Sequence, residues 1–252
     1  PPPAAHSMPS PRSRPTFVRR LLLPAALVGL MAVPAVSLWV RDIVHFYSGF
    51  DQVASQGSGG GSSSIFALGG GLEFSGPADV FELDLSAPDG ELKVNPNPQA
   101  ASAQMLAELD QPTGATEVEV SLDLEMVEGP SDLGGFVAED EGGGMLELTF
   151  DDQGTLRVGS QVIELPGAAG SSEYAMSLDV VLRQGLLGLN SWKLVLWTPE
   201  GKIVRSGTLP TPGPLSLGGV GVIRPGMSAG GTYRMDDLLI TSPKPGNSAS
   251  QQ

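Results

Sequence analysis

The 252-residue chain contains no cysteine and only two histidines, His6 and His45. Without cysteine, the chain forms no disulfide, thiolate nucleophile or Cys-zinc site. Both histidines precede the long β-rich part of the sequence, so that part has none for a Ser-His-Asp triad or a His-rich metal site. We therefore expect a non-enzymatic protein with no cofactor.

Charged residues are also scarce, at 17% of the chain, and positive ones are the scarcer sign. The first 42 residues hold five Arg and one Asp, which leaves nine basic against 27 acidic residues in the remainder. The remainder thus has a formal charge of −18, which repels nucleic acid and anionic lipid headgroups. We expect no nucleic-acid partner.

The longest uncharged run covers residues 21–40. At about 1.5 Å of rise per residue it corresponds to about 30 Å of helix, the thickness of a bilayer core. Four arginines precede it and Trp39 lies near its end, which favours an uncleaved transmembrane anchor. A signal peptide cleaved after the small residues Ala35 and Ser37 is the alternative. The run predicts a membrane partner and an extracytoplasmic domain at the cell membrane, or a secreted or periplasmic domain after cleavage.

The remaining sequence is rich in turn-forming residues, with 34 glycines and 22 prolines, which suits an all-β protein. The run GSGGGSSS at residues 57–64 is a flexible linker by composition. We expect a disordered basic N-terminus (1–20), an anchor or signal peptide (21–40), a juxtamembrane segment and linker (41–64), a β-sandwich domain (65–241) and a disordered tail (242–252). Residues 65–242 are expected to fold alone, without metal. Export without cysteine is typical of bacteria.

Alternation of apolar and polar residues is the main structural signal. Every second residue from Val118 to Met126 is apolar, with acidic residues or serine between, which predicts a strand with one buried and one solvated face. About a dozen such short strands, separated by turn signals, indicate a sandwich or barrel. Residues 100–109 are the one helical candidate in this region.

Three stretches resemble the concanavalin A-like lectin/glucanase superfamily, which includes laminin-G-like domains. They are MLELTF at residues 145–150 with the turn and strand that follow, NSWKLVLW at 190–197 with the hairpin TPEGK, and TYRMDDLLI at 232–240. The resemblance implies a jelly-roll sandwich of two antiparallel sheets. It implies little about activity, since the fold hosts lectins, adhesion modules and hydrolases.

Carboxylates are the first candidate site residues. Glucanases of this superfamily use an E-x-D-x-x-E pattern on one strand, and the nearest match, Glu82 and Asp84, has Ala at position 87. A solvated strand face explains these acids better. Asp236 and Asp237 are assigned to closing the fold.

Calcium is the one metal that the sequence leaves open, because it takes oxygen ligands from flexible acidic loops. The candidate ligands are Asp140, Glu141, Asp151 and Asp152, although they lack the spacing of a known calcium loop.

Aromatic residues are few, at 6%, and two of them suggest a ligand platform. Trp192 and Trp197 are five residues apart, so they point to opposite faces of one strand. We assign Trp192 to the core and consider Trp197 and Tyr174 as ligand-binding residues, although a hydrophobic anchor explains Trp197 more simply and Tyr174 fits a strand position without a function. The function predicted is a non-catalytic module that binds carbohydrate or another surface polymer. The alternatives are a structural or protein-interaction module and a divergent glycoside hydrolase or lyase.

Overall fold

The computed structural model describes residues 42–50, 52–54, 63–65, 67–84, 90–127, 133–140, 143–210, 213–228 and 230–243. These residues form 17 strands and one 3-10 turn, and no α-helix occurs among them. The strands are β1 (Asp42–Ser48), β2 (Gln52–Ala54), β3 (Ser63–Ile65), β4 (Gly70–Ser75), β5 (Phe81–Asp84), β6 (Glu91–Val94), β7 (Ala103–Thr113), β8 (Glu117–Val127), β9 (Leu133–Asp140), β10 (Gly143–Phe150), β11 (Thr155–Val158), β12 (Gln161–Glu164), β13 (Glu173–Arg183), β14 (Ser191–Thr198), β15 (Gly201–Thr208), β16 (Leu217–Arg224) and β17 (Thr232–Pro243). The 3-10 turn, Leu186–Gly188, connects β13 to β14.

Fifteen of these strands form two antiparallel sheets. The larger sheet has the order β15-β14-β13-β8-β17-β6-β5, and β1 also pairs with β17. The smaller sheet has the order β12-β11-β10-β9-β16-β7-β4, while β2 and β3 form a separate two-stranded ribbon. Sequential hairpins such as β13-β14-β15 lie beside strands that are distant in sequence, such as β8 and β17. The predicted all-β antiparallel sandwich is confirmed.

Alternation decides which side chains enter the core. In β8 the apolar residues from Val118 to Met126 are buried, and the intervening residues lie on the outer face of the larger sheet. The same pattern runs through β13 and β17. Because successive side chains of a strand point to opposite faces, this register buries one face of the sheet and leaves the other for polar residues.

Both sheets contribute apolar side chains to one core. Phe150 of β10 lies 6.4 Å from Tyr233 of β17, measured between ring centroids, so an aromatic contact joins the two sheets. A buried cation lies beside it: Arg224 stands 5.7 Å from the Tyr233 ring and donates from Nη2 to the carbonyl of Gly231 at 3.1 Å. Such contacts fix the distance between the sheets.

The structure corrects two expectations about the chain's organisation. The sandwich begins before residue 65, because β1 pairs with β17 and the side chains of Phe46 and Phe50 are fully buried. His45 therefore lies within the sheet, where its Nε2 and the Ser242 hydroxyl are 2.7 Å apart and burial lowers its pKa.

The second correction concerns residues 100–109. Most of this segment belongs to β7, which pairs with both β16 and β4, so the helical expectation is wrong. Two neighbouring strands supply partners for the backbone, and this pairing overrides the local preference. The end of the predicted linker, Ser63 and Ser64, lies in β3.

The predicted anchor and N-terminus lie outside the described residues, as do most of the linker and the tail beyond Pro243. Within the part of the chain that the structure describes, no helix is long and apolar enough to cross a membrane.

Candidate functional site

The outer face of the larger sheet carries a continuous row of five side chains. The strand registers pair Lys202 with Trp197, Trp197 with Ser177, Ser177 with Asp123, and Asp123 with Asp236. Directly opposed residues of antiparallel strands share a face, so the five form one line across β15, β14, β13, β8 and β17. Adjacent strands lie about 4.8 Å apart, which gives this polar row a length of about 19 Å.

Trp197 is held in a fixed orientation within the polar row. Its Nε1 donates to Oδ2 of Asp179 at 3.1 Å, and the other oxygen of Asp179 accepts from the Ser121 hydroxyl at 2.8 Å. The ammonium of Lys202 lies 4.4 Å from the centroid of the Trp197 ring. The Trp197 side chain nevertheless remains 36% exposed. An aromatic ring fixed in this way can offer a flat apolar surface to a ligand without losing side-chain freedom on binding.

Asp236, at the other end of the polar row, has a strongly shifted pKa. Burial, together with the nearby carboxylates of Asp237, Asp123 and Glu91, raises the pKa of Asp236 to about 7, against a hydrogen bond from the Asp237 amide that lowers it. That amide lies 2.8 Å from Oδ1 of Asp236. Near neutral pH this carboxyl group can therefore carry a proton and donate a hydrogen bond.

A bulge in β17 places the two aspartates side by side. The register between β17 and β8 shifts between Asp236 and Leu239, and Asp237 has a positive φ of 53°. Aspartate tolerates this left-handed conformation better than most residues. The Tyr47 hydroxyl donates to Oδ1 of Asp237 at 3.0 Å, so β1 fixes this carboxylate from the neighbouring strand. Both aspartates serve the closing strand, and Asp236 is also the last residue of the polar row.

The two aromatic candidates from the sequence are not brought together. Trp197 lies on the outer face, whereas Tyr174 is on the inner face of β13 and only 4% exposed. Burial raises the pKa of the Tyr174 hydroxyl. We assign Tyr174 to the core, and its ligand-binding role stays a prediction.

Of the four calcium candidates, two lie in the turn between β10 and β11, and the side chains of the other two are not among those that the structure describes. Asp151 organises the turn between β10 and β11: it accepts hydrogen bonds from the amides of Gln153 at 3.0 Å and Thr155 at 2.9 Å, and from the Thr155 hydroxyl. Asp152 accepts a hydrogen bond from the Gln153 side chain at 3.2 Å.

Asp140 ends β9, but its side chain, like the whole of Glu141, lies outside the description. No group of three or more His, Cys, Asp or Glu side chains among the described residues has the arrangement of a metal site. Calcium binding stays a prediction.

The glucanase-like pair has other partners. Asp84 forms an ion pair with Lys93 at 2.7 Å, and Glu82 accepts a 3.5 Å hydrogen bond from Asn95. Both acids lie on β5, at the edge of the larger sheet and away from the polar row. This arrangement is that of a solvated strand face.

Sequence analysis missed the carboxylate that orients Trp197 and the perturbed Asp236. Alternation places Asp179 and Asp123 on an outer face, but the chain does not reveal which strands are neighbours. The alternating pattern from Glu173 to Arg183 is the signal that could have placed Asp179 on the outer face. Its position beside Trp197 depends on strand register.

Comparison with known proteins extends these observations. No protein-family model matches the chain, and no curated protein matches it in sequence. A solved structure that resembles it is the PL-14 alginate lyase from Aplysia kurodai, with a TM-score of 0.51, 8% identity, and coverage of 68% of this chain and 90% of that one.

Two other solved structures resemble it less. A protein with a galectin-like fold from Bacillus subtilis gives a TM-score of 0.44 at 13% identity, covering 69% of this chain and 90% of that one. A legume lectin-like domain from Entamoeba histolytica gives 0.40 at 14% identity, covering 67% and 88%. At these identities the likeness concerns the fold alone. The likeness to the alginate lyase agrees with the two-sheet antiparallel sandwich that the sequence predicted.

Proposed function

We propose that this domain is a non-catalytic carbohydrate-binding module at the outer surface of a bacterial cell membrane. The observation that carries the proposal is Trp197, which Asp179 and Lys202 hold partly exposed near one end of the polar row. Sugars present an apolar face of C–H groups and an edge of hydroxyl donors. A fixed aromatic ring can pack against the C–H face of a sugar, and carboxylate oxygens can accept hydrogen bonds from its hydroxyl groups.

The charge of the domain restricts the class of glycan. Residues 43–252 carry a formal charge of −18, and the polar row contains Asp123 and Asp236 with Asp179 beside it. Like charges repel, so a polyanionic polysaccharide is disfavoured at this face. We expect neutral glycans, or glycans with amino groups, to bind.

The fold and the sequence of residues 12–40 support the same proposal. The fold likeness to an alginate lyase associates this architecture with a polysaccharide ligand in at least one protein. The four arginines and the uncharged residues 21–40 support export with the domain outside the membrane.

A divergent lyase or hydrolase is the second candidate, and Asp236 favours it. A carboxyl group with a pKa of about 7 beside other carboxylates has the properties of a general acid. Purified protein would be incubated with neutral and anionic polysaccharides, and new reducing ends and unsaturated products measured. Cleavage that Asp236→Asn abolishes without lowering the melting temperature would establish an enzyme and overturn the non-catalytic proposal.

Glycan-array binding tests the main proposal, with Trp197→Ala, Trp197→Phe and Met227→Ala compared with the wild type. We expect Trp197→Ala to weaken binding about tenfold, which corresponds to about 1.4 kcal/mol. Trp197→Phe keeps an aromatic face but loses the hydrogen bond to Asp179, so a smaller loss is expected. Met227 is exposed in the loop between β16 and β17, so Met227→Ala is the control.

Two results would contradict glycan binding through Trp197. The first is an array without any bound glycan, which would favour the structural or protein-interaction alternative. The second is equal binding by Trp197→Ala and the wild type, which would place the glycan elsewhere on the domain.

A further inference from the structure

One end of the sandwich collects several strand termini. The registers pair Asp42 of β1 with Pro243 of β17, Thr241 of β17 with Glu119 of β8, and Arg183 of β13 with Glu117 of β8. The starts of β1 and β8 and the ends of β13 and β17 therefore lie at the same end. We call it the Asp42 end.

Exposed apolar side chains project at the Asp42 end. Leu186 is 91% exposed and Leu189 is 68% exposed, and both belong to the short connection between β13 and β14. Ile43 and Val44, at the start of β1, are exposed as well. Single exposed apolar residues are ordinary, but two strongly exposed leucines on one short loop, at the same end of the sheet as Ile43 and Val44, mark a candidate interaction site.

Hydrogen bonds hold the leucine loop in shape. The Leu189 amide donates to the carbonyl of Leu186 at 3.3 Å, and the Gly213 amide donates to the carbonyl of Gly188 at 3.1 Å. The buried Asn190 side chain donates to the Gly213 carbonyl at 3.1 Å. A Cβ at Gly185 would lie 1.9 Å from the Leu189 carbonyl oxygen, so the turn requires glycine there. This fixed backbone keeps the two leucines in water instead of folding them back.

The sequence indicates what covers this surface. The uncharged run of residues 21–40 ends two positions before Asp42, with only Arg41 between the run and β1. If that run crosses a bilayer, the start of β1 is within about 7 Å of chain from the membrane surface, since an extended residue spans at most about 3.6 Å. A tether this short brings the Asp42 end close to the lipid.

We propose that the Asp42 end rests on the lipid surface, with Leu186 and Leu189 inserted among the acyl chains. Leucine is suited to this environment, and Arg183, at the end of the strand that precedes the loop, forms an ion pair with Glu117 at 2.5 Å. The short chain between residues 21–40 and β1 keeps the loop at a high effective concentration near the lipid. This offsets the repulsion between the acidic domain and anionic lipid headgroups.

The proposal also orients the polar row. Ser177 lies six residues before Arg183 on β13, which places the row about 20 Å from the Asp42 end. The row is then held about 20 Å above the lipid headgroups and stays accessible to a polymer outside the cell. The inference does not depend on glycan binding, because it rests on a different surface.

The absence of cysteine allows a direct test with the full chain. Leu186→Cys, Leu189→Cys and Met227→Cys would each be labelled with an environment-sensitive fluorophore and reconstituted into phosphatidylcholine vesicles with brominated acyl chains. Met227 is the matched control, since it is 73% exposed and lies in the loop that precedes β17, at the opposite end of the sandwich. We expect the labels at 186 and 189 to shift to shorter wavelength and to be quenched severalfold more than the label at 227.

Three outcomes would overturn the proposal. Labels at 186 and 189 that emit and quench like the label at 227 would show that the loop stays in water. A wavelength shift without bromine quenching, which grows with the protein-to-lipid ratio, would assign the loop to contacts between copies of the chain. Recovery of a chain cleaved after residue 37 and absent from the vesicles would remove the tether.

Discussion

Trp192 and Trp197 have different environments although they lie on the same strand. Trp192 is 5% exposed and its ring packs against Gly207, where an added Cβ would lie 2.7 Å from the ring. We predict that Trp192→Ala lowers the free energy of unfolding by about 3–5 kcal/mol. Trp197→Ala is expected to cost less, because part of its ring is already in water. Urea denaturation of both variants measures the difference, and equal losses would contradict the prediction.

The sequence predicted that Trp192 and Trp197 lie on opposite faces of the strand, but it did not predict the contacts that Trp197 makes. A spacing of five residues predicts opposite faces, and the structure shows one ring inside and one outside. The hydrogen bond from Trp197 to Asp179 joins residues 18 positions apart on paired strands. Such a contact depends on strand register, which no single-strand pattern contains.

The raised pKa of Asp236 leads us to predict that the free energy of unfolding decreases as the pH rises. Its folded pKa of about 7 lies above its ordinary value of 3.8, so the folded state binds the proton more tightly than the unfolded state. The resulting stabilisation is complete below about pH 4 and is lost as the pH rises to about 7. The loss is about 1–2 kcal/mol once solvent screening of this partly exposed group is included.

Asp236→Asn isolates this effect from other titrating groups. The carboxylates of Asp237, Asp123 and Glu91 face Asp236, and Arg234 lies 3.8 Å from Glu91. We expect the variant to lose the decline in stability between pH 4 and pH 7, as measured by urea denaturation at each pH. An identical decline in the wild type and the variant would assign it to other groups.

At the scale of elements, the β10–β11 turn depends on Asp151. Burial alone would raise the pKa of Asp151, but hydrogen bonds from Thr155 and Gln153 outweigh it and lower the pKa. The ionised form therefore stabilises the turn above about pH 4, and this contribution disappears as the pH falls below that value.

We predict that Asp151→Ala lowers the free energy of unfolding by about 1 kcal/mol at neutral pH, because it removes several turn hydrogen bonds. Asp152→Ala, next to it, is the control and is expected to cost less. Thermal melting with added calcium separates the two roles of Asp151. A calcium-dependent rise in melting temperature that Asp151→Ala removes would favour the metal site over the turn.

Strands with strong alternation were predicted best. The apolar residues from Val118 to Met126 coincide with the buried face of β8. A strand with one buried and one solvent-exposed face has an apolar residue at every second position. Residues 103–109 lack so clear a signal and were interpreted as helical. Their strand conformation follows from pairing with β16 and β4, which are distant in sequence.

At the scale of the whole molecule, the sequence predicted the two-sheet sandwich but placed its beginning too late. The glycine- and serine-rich residues 57–64 have the composition of a boundary, so residues before them were assigned to a juxtamembrane segment. Yet β1 lies before that run and extends the larger sheet alongside β17. Composition reports only on a local segment of the chain. The domain boundary instead depends on the pairing of β1 with β17, which is distant in sequence.

The last prediction concerns the part of the chain that folds on its own. We expect residues 42–243 to fold alone, while residues 65–242 are severely destabilised, contrary to the expectation from sequence. The shorter fragment lacks Phe46 and Phe50, which are fully buried, and each loss of a buried phenylalanine side chain costs about 3–5 kcal/mol. It also leaves the second half of β17 without its β1 partner, as an open edge prone to aggregation.

Circular dichroism and urea denaturation of the two fragments measure this difference. A third fragment, residues 42–243 with Phe46→Ala, separates the loss of packing from the loss of strand pairing, because it keeps the β1 backbone. Packing alone predicts a stability between those of the two fragments. If residues 65–242 unfolded at the same urea concentration as residues 42–243, β1 would be an accessory strand, and the proposed membrane tether would no longer be joined directly to the folded core.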